Sequence, residues 1–222
     1  MSSSYLLLMV VVLILGFGAQ ALIKSTYKKW DKNPSMSGIS GAQAARYMLD
    51  AHGLTNVGIA QVGGQLSDHF DPRTNVVSLS QAVYNGHSVA AVAVACHECG
   101  HAVQTAKAYA PAKVRSAIVP AVSFASNIWI FVLLAGIFLS IIGLIYVAII
   151  MFAAVLVFQL VTLPVEFDAS KRALAFVSTT GWLSPQENSG AASVLKAAAM
   201  TYVAAALASI LQLIYFLGFA RD

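Results

Sequence analysis

Charge is what this chain has least of. Asp, Glu, Lys and Arg make up 10% of its 222 residues and hydrophobic residues 59%, where a soluble domain carries about 25% charged residues. A core built from a chain of this size cannot hide that deficit, so a soluble globular protein is excluded. Cysteine is nearly as scarce. Cys96 and Cys99 are the only two, three positions apart, which rules out a disulfide framework. The net charge of +4 comes from 13 Lys and Arg residues, most of them flanking apolar segments. There they act as orientation signals, and no nucleic-acid partner is expected.

What remains is a multi-span membrane protein in contact with a lipid bilayer. Residues 5–23, YLLLMVVVLILGFGAQALI, are uncharged and long enough to cross a hydrocarbon core of about 30 Å. Ala19-Gln20-Ala21 imitates a signal-peptide cleavage site. However, the leading MSSS has no basic side chain, and the cluster Lys24, Lys28, Lys29 follows the apolar run, which favours a retained anchor. No charge stands between Arg115 and Glu166. As one helix that run would be about 75 Å long, so two spans are expected, over 118–137 and 143–163, with Gly136, Ser140 and Gly143 near the bend. A fourth covers the uncharged stretch 197–220.

The expected organisation is an anchor (1–23), a polar domain (24–117), a membrane hairpin (118–163), a second polar segment (164–196) and a C-terminal membrane helix (197–222). Four spans put both termini on one side and every basic residue except Arg221 on the other. The positive-inside rule makes that basic side cytoplasmic.

Within the polar domain, Ser40 is placed to cap a helix that runs to about His52 and stops at Gly53. VGIAQV and NVVSLS, separated by the turn-rich GGQLSDHFDPRTN, read as a small antiparallel sheet. A buried helix is expected from about Ser88 to Ala108. It carries His97-Glu98-Cys99-Gly100-His101, an H-E-x-x-H pattern. Residues four apart on a helix differ by about 40° in direction and 6 Å in rise, so both imidazoles can reach one zinc ion, with Glu98 beside them to take a proton from water there. The flanks VAVAC and AVQ are apolar. Burying three polar side chains among them is costly without a ligand, which favours a metal over a chance pattern.

A catalytic zinc wants a third protein ligand and one open position. Glu166, Asp168, Glu187 and Asp222 are the acidic residues after His101. Asp222 is expected across the membrane, whereas Glu166 follows the third span and returns to the surface where the histidines stand. Asp168 and Glu187 are the remaining candidates. The C-x-x-C formed by Cys96 and Cys99 points away from the histidine pair, and both cysteines read as small buried hydrophobes.

Taken together, LSDHFDPRTNVVSLS, VYNGHSVAAVAVACHECGHAVQ and LPVEFDASKRAL resemble the YugP-like neutral zinc metallopeptidase family of bacterial membranes, over nearly the whole chain. More distantly they resemble the HtpX-type and CAAX prenyl-protease metallopeptidases. The resemblance implies one zinc per chain on His97, His101 and Glu166, with Glu98 as catalytic base. The expected fold is therefore membrane α-helical: about four transmembrane helices with a small cytoplasmic α+β domain of zincin-like (gluzincin) type, in the bacterial plasma membrane. The related proteases carry Glu-x-x-x-Asp, and here Ser170 replaces the aspartate, so Ser170 or Asp168 must support a ligand histidine.

Asp168 and Arg172 form an i, i+4 pair on a helix surface. His69 is a candidate for binding substrate or stabilising a turn, His87 for supporting the site, and His52 is a helix-end residue. Substrate would be a peptide or membrane protein, added as a strand to an edge formed by NVVSLS or VGIAQV. A homo-oligomer or membrane partner is open. The alternative to a zinc endopeptidase is a non-enzymatic membrane scaffold that keeps a structural zinc site.

Overall fold

The uncharged runs are helical, and all four long helices continue past them into the polar part of the chain. The computed structural model describes residues 3–220. Arg221 and Asp222, expected on the far side of the membrane, lie outside them. In chain order the elements are α1 (Ser3–Asp31), α2 (Gly41–Ala51), β1 (Gly58–Val62), β2 (His69–Asp71), β3 (Val76–Ser80), α3 (Gln81–Tyr84), α4 (Val89–Ala106), α5 (Ala110–Phe138), α6 (Ile142–Thr180) and α7 (Pro185–Phe219). Among the described residues, α1, α5, α6 and α7 are long and apolar enough to cross a membrane. The protein is a mostly helical membrane protein with a small sheet.

α5 and α6 form the expected hairpin. Ser140 takes the left-handed conformation at the turn (φ 55°), and the Ile141 amide donates to the Gly136 carbonyl at 2.9 Å. At about 1.5 Å per residue, the 39 residues of α6 reach about 58 Å. One helix thus serves both as membrane span and as the next polar segment. Pro164 lies inside it without ending it. α7 begins on a capping box: the Ser184 amide donates to Glu187 Oε2 at 2.6 Å, and the Glu187 amide donates back to Ser184 Oγ at 3.3 Å. That exchange satisfies two amides left free by the first helical turn.

α2 carries the same kind of cap. Gln43 donates its amide to Ser40 Oγ and accepts from the Ser40 amide, and Gly53 at φ +73° follows the helix end. His52 is the C-cap residue, with Nδ1 2.8 Å from the Met48 carbonyl.

The sheet corrects the antiparallel expectation. Its order is β1-β3-β2. β1 runs parallel to β3, with Gly58 opposite Val76, while β2 runs antiparallel to β3, with Phe70 opposite Val77. The stretch read only as turn holds the third strand. Asp71 Oδ1 accepts the Arg73 amide at 2.9 Å and closes the β2–β3 turn. Alternation fixes which side chains share a face but not strand direction, so the sequence left direction open. β3 is the central strand, which removes NVVSLS as an edge for substrate. β1 and β2 are the edges.

The main core joins α2, α4, the sheet and the upper parts of α6 and α7, through residues such as Met48, Leu79, Val92, Val103, Val177 and Leu195. A second cluster lies at the other end of the membrane helices. There Phe152 packs 4.6 Å from Trp129 and 5.6 Å from Phe216, centroid to centroid.

Candidate metal centre

α4 occupies the middle of the polar half, packed against α2, α6 and α7. Ser88 caps it, accepting the Ala91 amide and donating to Asp31 at the end of α1. Gly100 decides how near it comes to α6. A Cβ at that position would meet the Ala169 carbonyl oxygen at 2.7 Å. Only a residue without a side chain lets the two backbones approach so closely. That approach puts His97 and His101 opposite Glu166.

His97 Nε2 lies 3.3 Å from Glu166 Oε2, and His101 Nε2 lies 3.7 Å from the same oxygen. All three candidate ligand atoms fall within 4.8 Å of one another. A tetrahedral zinc with bonds of about 2.0–2.1 Å holds its ligand atoms about 3.3 Å apart. The two separations to Glu166 are near this value, and a small closure of the wider spread lets two imidazoles and a carboxylate hold such an ion with one coordination position free. Burial alone would lower the proton affinity of His101. The facing Glu166 carboxylate, together with the charge of Glu98, outweighs burial and raises it above the ordinary histidine value.

The outer ring nitrogens are held as a ligand pair requires. Gln104, fully buried, donates both protons of its amide nitrogen, to the Val165 carbonyl at 2.7 Å and to Asp168 Oδ2 at 2.8 Å. Its Oε1 therefore faces His101 Nδ1, 3.0 Å away. An oxygen there accepts, so Nδ1 carries the proton and the Nε2 lone pair faces the cluster. Asp168 is held in turn by Arg172, with Nε 2.6 Å from Oδ2. The Asp168–Arg172 pair is thus partly buried behind His101, not simply a surface pair. Ser170 Oγ lies 3.2 Å from His97 Nδ1. The two histidines have separate supports, a serine for one and a glutamine–aspartate–arginine chain for the other.

Besides Gln104, two more residues near the cluster were not singled out in the sequence. Arg115 of α5 donates from Nη1 to Glu166 Oε1 at 3.3 Å, holding the oxygen turned away from the histidines. Tyr202 of α7 faces the Glu166 carboxylate and lies within electrostatic range of Glu98. Arg115 had been read only as a topology signal, and Tyr202 lies in an apolar run with no motif around it. The pairing of Arg115 and Glu166 as the charges bounding the uncharged hairpin was the available signal.

Glu98 is buried on α4, 8% exposed, and its carboxylate has no hydrogen-bond partner among the described residues. The other candidates stand apart. Glu187 is used in the α7 cap. Exposed His69 faces the Ser67 carbonyl through Nδ1, and exposed His87 faces the Gly38 carbonyl; neither joins the cluster. Cys96 and Cys99 are fully buried. Burial pushes the Cys96 thiol up to about 12 and the Cys99 thiol well above its usual value, and Cys99 Sγ donates to the Ala45 carbonyl. Both pack in the core, on a face away from the histidines.

Beside His101 a cleft of about 370 Å³ opens between the β2–β3 turn and α5. β2, an edge strand of the sheet, forms part of its wall.

Comparison with known proteins gives the chain a family. The family described as “Putative neutral zinc metallopeptidase” matches residues 5–221. The “Putative membrane protease YugP” of Bacillus subtilis (strain 168) is 44% identical over 212 residues, covering 96% of this chain and 94% of that protein. No solved structure matches the chain.

Proposed function

Since the chain belongs to the family described as “Putative neutral zinc metallopeptidase”, we propose that it is a membrane-integral zinc endopeptidase. His97, His101 and Glu166 hold one zinc ion, and Glu98 is the catalytic base. When bound, zinc supplies a Lewis acid that polarises a carbonyl and makes water acidic near neutral pH.

The rest of the chemistry falls to the chain's own side chains. The Glu98 carboxylate takes a proton from the attacking water as its oxygen bonds to the scissile carbon. Glu98 then passes that proton to the leaving nitrogen as the C–N bond breaks. Gln104 and Ser170 keep the two imidazoles in one tautomer. Arg115 holds Glu166 and presents its remaining donors to the cleft. The edge of β2 is available to align an extended peptide. The basic residues flanking the spans support a cytoplasmic location for the site.

One observation carries this reading over a scaffold with a structural zinc: Glu98. Its carboxylate makes no hydrogen bond among the described residues and so is available to a water molecule beside the histidines, whereas a purely structural site has no use for it. The test is zinc content and hydrolysis of an unstructured protein before and after chelation. One zinc per chain, with cleavage lost on chelation and restored by zinc, is expected. Zinc retention without cleavage of any substrate would support the scaffold instead.

A further inference from the structure

The depth of the site along the membrane helices bears on what it cuts. Arg115 and Glu166 are the two charges that bound the uncharged hairpin, and they pair with each other at 3.3 Å. The level where α5 and α6 turn apolar is therefore the level of the histidine–glutamate cluster. α7 gives an independent measure. Tyr202, which faces Glu166, lies six residues beyond Lys196, the last charge before the uncharged run. At 1.5 Å per residue that is about 9 Å deeper along the helix.

The cleft crosses this level. On its polar side stand Asp71, Arg73, Gln104 and Thr105; on its apolar side it is lined by Val119, Pro120 and Val165, all within the charge-free sequence. Pro120 lies inside α5 and has no N–H, so the carbonyl four residues earlier, that of Ser116, loses its helical donor. Ser116 also lines the cleft. A chain leaving a bilayer must satisfy each backbone group as its helix ends. Here Ser116, whose carbonyl has lost that helical donor, lines one wall and the edge strand β2 the other.

We propose, resting on the peptidase reading, that the cleft receives membrane-anchored polypeptides and cuts them where they leave the bilayer. The substrate's apolar span end lies against Val119 and Pro120. Its first extended residues run past His101 toward the β2–β3 turn. The scissile bond thus falls among the first extended residues beyond the end of the span.

The test uses the full-length, zinc-loaded protein in lipid vesicles with two substrates, each a single apolar transmembrane helix bearing the same cleavable sequence. In one that sequence begins at the helix end; in the other it follows a flexible spacer of about 25 residues. Both share the membrane, so local concentration is matched. In parallel, a Glu98→Gln variant with a photo-reactive residue in place of Val119 reports occupancy without chemistry.

Cleavage at least about tenfold faster for the short form, with cuts close to the span, and capture of the span end from position 119 are the expected results. Equal cleavage at the same sequence in both substrates would overturn the inference and leave the peptidase reading intact, as would equal capture of the remote segment. Capture of the span end by the variant, with neither substrate cut by the zinc-loaded wild type, would uphold the docking inference and count against the peptidase reading.

Discussion

Gln104 Oε1 lies 3.0 Å from His101 Nδ1, and the amide's other contacts leave that oxygen no different orientation. Both N–H groups of Gln104 are taken by Val165 and Asp168. The tautomer of His101 is thus set by a side chain three residues along the same helix. Replacing Gln104 by Leu keeps the volume and removes the acceptor. Zinc affinity, read by competition with a chromophoric chelator, is expected to fall about 10–100-fold. Ser170→Ala should act in the same direction through His97, while Ser170→Asp should retain or strengthen binding.

Gly100 gives a prediction of a different kind. Gly100→Ala adds one methyl group where the Ala169 carbonyl stands 2.7 Å away, so α4 must move off α6. Overpacking of this kind costs about 1–3 kcal/mol, and the shift separates the histidines from Glu166. Reduced zinc occupancy together with a lower unfolding midpoint in detergent is expected. Gly190→Ala at the α1–α7 contact, where a Cβ would meet the Trp30 ring, should lower the midpoint without a comparable change in zinc occupancy.

The cysteines should be dispensable. Cys96→Ala with Cys99→Ala is expected to keep one zinc per chain and most activity, with a stability loss of about 0.5–1.5 kcal/mol by analogy with small core truncations. Burial holds the Cys96 thiol near 12. At pH 8 almost none of it is thiolate, and alkylation of the folded protein should be slow until denaturant exposes it. X-ray absorption should show no sulfur at about 2.3 Å from the zinc.

Much of this was legible in the residues. Long uncharged runs give helices whatever their packing, and H-E-x-x-H places its side chains by helical geometry alone. Ser40 and Gly53 announced the ends of α2 correctly. Strand direction in the sheet was not legible, because β1 and β3 show the same alternation whether parallel or antiparallel, and the third strand is three residues long inside a turn-rich stretch. The roles of Gln104 and Arg115 were hidden for another reason. Each depends on a partner on α6, more than 50 positions away, which no local pattern encodes.

The proposed orientation rests on the basic flanks. Single-cysteine labelling on the background lacking Cys96 and Cys99 is expected to place residues 24–115 and 166–196 in the cytoplasm, with both termini outside. Labelling of the Lys24 cluster from the outside would reverse the assignment and move the cleft to the other compartment.

In the proposed mechanism Glu98 does chemistry at a zinc held by its neighbours. The most direct test is the rate of peptide hydrolysis by Glu98→Gln at matched zinc content. Undiminished zinc, about one per chain, is expected, with a rate lowered by about 10²–10⁴-fold, the usual effect of losing general acid–base help. A Glu98→Gln protein that holds its zinc and cleaves as fast as the wild type would remove Glu98 from the chemistry.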